Sequence, residues 1–266
     1  MIAHPQLILS ALFFLVSIIF SMMGQGGGVI YTPLQVWFNI DFHTAATTSL
    51  FLILAASVSS SLVFRKAGKI DWPLALVLET STGAGGFAGG FWSEKFSSVF
   101  LSLLFAGVIF VSAFFMINSF KGKKENKTDS KGLFIWKRVL NNEAYCVNLL
   151  LALPLSFAAG IISGLLGVGG GILKVPLMVI LLGIPMDIAV GSSAFMIGIT
   201  AFGGFAGHIA KGHWDWITSL VLAVAVIAGS QIGSRISVNI DKNKLKKAFG
   251  WFLFVIAISM VIKALW

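Results

Sequence analysis

The sequence is expected to fold as an all-α polytopic membrane protein. It should hold two inverted-topology repeats of about five helical segments each, one short Gly-initiated segment per repeat, giving about 8–10 membrane segments at ~20 residues per crossing. Three observations lead there. The 266 residues are 57% hydrophobic and only 11% charged, with a mean hydropathy of +0.94. Uncharged runs reach the length of a bilayer crossing. A second copy of the first half's motifs follows in the same order in the second half.

The first half reads as segments at about 7–23, 29–40, 44–64, 72–92 and 96–120. The second reads as 146–166, 172–183, 188–209, 215–234 and 246–265. Residues 44–64, 96–120 and 146–166 contain no Asp, Glu, Lys or Arg. Residues 72–92 contain only Glu79. The N-terminus has no Lys or Arg before its apolar stretch and no small-residue cleavage site, so it reads as a retained helix rather than a cleaved signal. The organisation follows: 1–120 a first transmembrane repeat, 121–145 a basic linker, 146–266 a second repeat.

The repeat is visible by eye. With Gly24 on Gly167, "GQGGGVIYTP" falls on "GVGGGILKVP" and Pro33 on Pro176. One residue of slip later, "TSLF" (48–51) meets "SSAF" (192–195), "GKIDW" (68–72) meets "GHWDW" (212–216), and "GGFAG" (85–89) meets "GSQIG" (229–233).

Charge placement gives the orientation. Fifteen of the 19 Lys and Arg residues lie in loop 65–71, the linker 121–145 and loop 235–247. By the positive-inside rule these are cytoplasmic, which puts both termini outside. Loop 65–71 is then inside while its counterpart 210–214 is outside, so the two repeats are inverted. The net charge of +9 therefore reports topology rather than nucleic-acid binding. The predicted location is the plasma (inner) membrane. The lone Cys146 excludes an internal disulfide framework and a cysteine-rich metal site. No cofactor or metal motif appears, and nothing marks an enzyme: no HExxH, no paired intramembrane acids, no Ser–His arrangement.

The glycine motifs carry the functional reading. Each opens a short segment, and a helix N-terminus offers unpaired N–H groups and partial positive charge. Glycine lets a ligand approach the backbone. Two such ends converging at the midplane would form an anion site. The residues are Gly24, Gln25, Gly26, Gly27 and Gly28, with Gly167, Gly169, Gly170 and Gly171, while Pro33 and Pro176 mark helix starts or kinks. The competing reading is close helix packing, which better explains Gly85/Gly89, Gly160/Gly164, Gly203/Gly207 and Gly229/Gly233.

Lys174 is either a substrate counter-charge or a lysine whose stem reaches an interface. Glu79 is either a proton-coupling carboxylate or a side chain held by the Thr80/Thr82 region or by a lysine near the interface. The hydroxyls of Ser49, Ser192 and Ser193, with Thr47 and Thr48, would donate to an oxyanion or bond back to helix carbonyls. Asp71-Trp72 and Asp215-Trp216 read as interfacial anchors, and His43, His208 and His213 as interfacial without a role.

At these motifs the chain resembles the sulfite exporter TauE/SafE family. "GQGGGVIYTPLQVWF" and "GLLGVGGGILKVPLMVILLGIP", followed by "AVGSSAF", "KGHWDW" and "AGSQIGSRIS", carry the resemblance over both halves. Lys174 departs from the apolar residue usual there, and Gln25, Tyr31 and "NIDFHTAATTSLF" also depart. The resemblance implies transport of a sulfur oxyanion or organosulfonate, usually outward. With the cell interior negative, expelling an anion is downhill by ~2.3 kcal/mol per charge per 100 mV. The expectation is a secondary transporter working by alternating access. An anion channel and a proton-coupled importer are the alternatives within transport, and an intramembrane enzyme or a scaffold the readings from other classes. The expected partners are a small anionic substrate and the lipid bilayer, with no nucleic acid, and a homodimer stays open.

Overall fold

A computed structural model describes residues 4–117, 134–140, 143–167, 169–212, 214–239, 251, 254–255 and 257–262. The chain is helical apart from one small hairpin. The first half holds α1 (His4–Met22), α2 (Gly28–Trp37), α3 (Phe42–Lys66), α4 (Trp72–Trp92) and α5 (Ser98–Ile117). The second holds α6 (Leu149–Leu166), α7 (Gly171–Pro176), α8 (Met186–Ile209) and α9 (Trp216–Ser237). Residues 257–262 are helical, within the tenth expected segment, whose start lies outside the described residues. His213 is likewise outside them.

Helix starts follow side-chain chemistry. Asp41, Asp71 and Asp215 accept backbone N–H groups at the starts of α3, α4 and α9, satisfying donors the helix cannot use itself. Asp71 and Asp215 occupy matching repeat positions. The ten residues of α2 reach only about 15 Å, half a bilayer core. Pro33 sits inside α2. Pro176 closes α7, and the backbone continues as a π turn, Leu177–Leu181. Helices α3, α6, α8 and α9 are long and apolar enough to cross a membrane.

The packing exchanges partners between halves. α4 lies on α6 and α8, α1 lies on α9, and α3 lies on α8 and α9. The contacts match position by position. A side chain on Gly85 or Gly89 would strike the carbonyls of Phe157 and Ile161 on α6; one on Gly229 or Gly233 would strike those of Phe14 and Ile18 on α1. Small residues let these backbones meet, the close approach that holds helices together in lipid.

Among the described residues, the cationic loop 65–71 meets the end of α9. Lys69 Nζ lies 3.5 Å from Asp187 at the start of α8 and 3.3 Å from the Val238 carbonyl just beyond α9. At the other end, Lys211 pairs with Glu94 at 3.2 Å. Thus α4 starts at the end where α9 finishes, and α8 starts where α3 finishes.

The linker region differs from expectation. Instead of remaining a linker to residue 145 with a helix from 146, it forms an antiparallel hairpin, β1 (Ile135–Leu140) and β2 (Glu143–Asn148), and α6 begins at Leu149. Trp136, Leu140, Tyr145 and Val147 pack with Leu74 and Leu78 of α4 and with Met178, Leu182 and Met196. Burial distinguishes two of the residues expected at the interface. Asp71 is 1% exposed, while Trp72 beside it is 36% exposed. His208 is fully buried, its Nε2 3.0 Å from the Gly164 carbonyl, because glycine on α6 lets the imidazole reach the backbone.

Candidate substrate site

The two glycine motifs fold alike. Gly24, Gly26 and Gly27 have φ of 65°, 72° and 79°; Gly167, Gly169 and Gly170 have 68°, 70° and 75°. Only glycine takes this left-handed conformation without cost. Each run ends at a helix cap, Gly27 for α2 and Gly170 for α7, whose carbonyl accepts from the third and fourth residues beyond it.

The motifs also touch. A Cβ on Gly171 would stand 2.8 Å from the Cα and carbonyl oxygen of Gln25. Gly26 and Gly169 both press on Ile53 of α3, and Gly26 also meets Ile197, which is the repeat counterpart of Ile53. The junction therefore lies where α3 and α8 cross.

Around it sit polar groups without partners. The amide of Gln25 is fully buried, and neither its Nε2 nor its Oε1 has a hydrogen bond. Ser163 Oγ is equally unpartnered, and a Cβ on Gly170 would lie 3.3 Å from it and 3.4 Å from Lys174 Cε. A buried amide without partners costs on the order of 1–3 kcal/mol, so a site that leaves one open is suited to a polar guest.

Beside this lies a buried ion pair. Lys174 Nζ donates to Glu79 Oε2 at 2.6 Å, and the two side chains are 4% and 1% exposed. The Thr200 hydroxyl bridges them, accepting from Lys174 and donating to Glu79 Oε1. The matching positions in the other half are Tyr31, Ala223 and Ala56, which share an apolar cluster with Phe13 and Leu222. The charge lies on one side of a duplicated frame.

The predicted hydroxyls are already engaged. Ser49 accepts from Thr32 at 2.9 Å and from Gln35 at 3.1 Å. Ser193 donates to the Gly24 carbonyl at 3.1 Å, pinning α8 to the first motif. Ser192 accepts the Asp71 N–H at 3.0 Å. Thr47 bonds back to the His43 carbonyl, and Thr48 accepts from Ser219.

At the cationic end, Arg138 and Tyr145 clasp Asp71. They face each other in the hairpin register, so both reach the same carboxylate. Arg138 donates from Nη2 at 2.6 Å and Nε at 3.1 Å, and Tyr145 donates at 2.5 Å. Burial pushes the Asp71 carboxyl up. The hydrogen bonds from Arg138, Tyr145 and the Leu74 N–H outweigh it and hold the group below the usual carboxylate value. Burial, and then the bond to Asp71, raise the Tyr145 phenol.

Sequence reasoning missed Thr200, Ser163, Arg138 and Tyr145. Thr200 and Ser163 had a faint signal, each being a lone hydroxyl in an apolar stretch. No group of three or more His, Cys, Asp or Glu could hold a metal among the described residues.

The family model described as "Sulfite exporter TauE/SafE" matches residues 9–260. The chain is 27% identical over 230 residues to "Probable membrane transporter protein YunE" of Bacillus subtilis, covering 82% of this chain and 83% of the relative. It is 28% identical over 238 residues to YdhB of the same organism, similarly named, covering 88% and 91%. A third relative, MJ0441 of Methanocaldococcus jannaschii, also named as a membrane transporter, is 25% identical over 267 residues, covering 94% and 92%. No solved structure matches.

Proposed function

Because the chain belongs to the sulfite exporter TauE/SafE family, and is a membrane transporter on that ground, we propose that it carries a small sulfur oxyanion or organosulfonate outward across the plasma membrane. The observation that carries this reading is the meeting of the two glycine motifs around the unpartnered Gln25 amide. Gly24, Gly26, Gly27 and Gly28 from one side, and Gly167, Gly169, Gly170 and Gly171 from the other, line the anion with backbone. The Gln25 amide and Lys174 donate to it. Ser193 holds the first motif in place, while Ser49 and Ser192 fix α3 and α4 around it.

Alternating access fits the duplicated frame. Two repeats of opposite orientation are supported by α4 and α9, and α3 and α8, running oppositely between the two ends. The distribution of Lys and Arg along the sequence, with loop 65–71 lying by the end of α9, supports a cytoplasmic face there and termini outside. Burial of Lys174 and Glu79 favours a carrier caught closed over an open channel.

The test is ligand-dependent melting of the detergent-purified protein. Sulfite, sulfate, thiosulfate and methanesulfonate are compared with chloride and acetate. Ligand at a hundred times its Kd should stabilise by about 2.7 kcal/mol. The shift should be confined to sulfur anions and shrink in Gln25→Leu. A shift equal for every anion, or unchanged in the variant, would remove the glycine junction as the site.

A further inference from the structure

Resting on the carrier reading above, we propose that Glu79 is a resident substitute for the substrate, and that the anion displaces it from Lys174 as Glu79 takes up one proton. Each anion then crosses together with one proton.

The geometry gives the reason. Lys174 and Glu79 are each other's counter-ion in a site closed to water, 2.6 Å apart and both nearly fully buried. Among the described residues Lys174 is the charge paired with Glu79, while Glu94 and Lys95 lie beyond the far end of α4, Glu94 paired with Lys211, and Lys137 and Glu143 lie in the hairpin by the start of α4. α6 carries no ionisable side chain. On α8, Asp187 is occupied by Lys69 at the helix start, and His208 is held at the far end by Gly164. In the hairpin, Arg138 and Tyr145 are committed to Asp71, the cap of α4. Lys174 on α7 is the cation that reaches the Glu79 carboxylate.

An anion entering at the glycine junction would place two negative charges against one ammonium. Excess charge in a dry, low-dielectric site is expensive, and an uncompensated buried carboxylate more so. Protonation removes the surplus. A proton from whichever aqueous side the site faces binds the Glu79 carboxylate, the ammonium moves from that carboxylate to the anion, and the site stays neutral throughout. Thr200 suits both states. Its hydroxyl donates to the ionised carboxylate now and accepts from the protonated one after exchange. The unpartnered Ser163 hydroxyl and Gln25 amide lie at Gly170 and Gly171, beside the lysine that swings.

The coupling changes what drives export. A neutral complex ignores the membrane potential, so net flow follows the product of anion and proton concentrations on each side.

The experiment uses purified full-length protein in liposomes with a pH dye inside, the membrane potential clamped at zero, and methanesulfonate as probe, since it does not titrate near neutrality. An inward pH difference of one unit should drive about tenfold accumulation, with internal acidification matching uptake one to one. Glu79→Gln should lose acidification and the pH dependence of whatever counterflow it retains. The double variant Lys174→Met/Glu79→Gln, which leaves no buried charge alone, should melt cooperatively near the wild-type temperature and lose counterflow, which separates loss of the site from misfolding. Wild-type counterflow with neither acidification nor a response to the pH difference would overturn the exchange and leave the carrier reading intact. Acidification persisting in Glu79→Gln would also overturn it. Absence of flux for methanesulfonate and sulfite alike would end both.

Discussion

The Asp71 carboxylate accepts four hydrogen bonds, from the Leu74 N–H at its own helix start, twice from Arg138, and from Tyr145. Charge-assisted bonds of this kind are worth about 1.5–3 kcal/mol each. Because the folded-state value lies below the ordinary one, the stabilisation is complete above the usual carboxylate range and is lost as pH falls through the lowered value. Hydrogen exchange of residues 135–148, corrected for intrinsic rates, should therefore show flat protection from pH 8 to 5 and a decline only below about pH 4. Asp71→Asn should lower protection at every pH. A decline already between pH 8 and 6 would mean that another group holds the hairpin. In the sequence, Asp71 was visible as part of a repeated Asp-Trp pair, but its partners were not. Arg138 is 67 residues away, inside a stretch dense in lysine. The same distance problem hid the pairing of Lys174 and Glu79. Each stood out alone as an ion in an apolar run, yet they are 95 residues apart.

Helices were the most legible elements, since a run without charge has one stable form in lipid. The expected segments agree with α1 to α9 to within a few residues, except that α7 stops at Pro176 where the segment was expected to run to 183. Two elements escaped. The hairpin's alternation of apolar residues is buried in a basic stretch that reads as linker. The π turn Leu177–Leu181 is apolar at every position, so no period marks it. Glycine roles were partly legible, as spacing suggested which would pack. The structure sharpens this into a contrast. A Cβ on Gly164 would collide with the Gly86 carbonyl, whereas one on Gly107 of α5 meets nothing within 4 Å. Gly164→Ala should cost about 1–3 kcal/mol of stability as an overpacked crossing. Gly107→Ala should cost nothing and gain up to about 1 kcal/mol from helix propensity. Melting of the two variants in detergent tests this, and equal melting points would contradict the close crossing of α4 and α6.

Across the whole molecule, the distribution of Lys and Arg anticipated which loops share an end. Lys69 reaches Asp187 and the end of α9, while Glu94 meets Lys211. Sidedness is tested with single cysteines in a Cys146→Ser background. Lys95→Cys and Lys211→Cys should react with an impermeant thiol reagent added to intact cells, and Lys66→Cys should react only after the membrane is opened. The reverse pattern would turn the molecule over.

The exchange of partners between halves also bears on symmetry. The glycine ridge of α4 is covered by α6, and that of α9 by α1. Either half alone would find neither cover within its own chain and would need a second copy of itself. In such a pair every substitution would appear twice, and a lysine at one junction would face an identical lysine at the other. A single chain carries no such restriction, so Lys174 and Glu79 stand in one half while Tyr31 and Ala223 leave the matching place in the other half neutral.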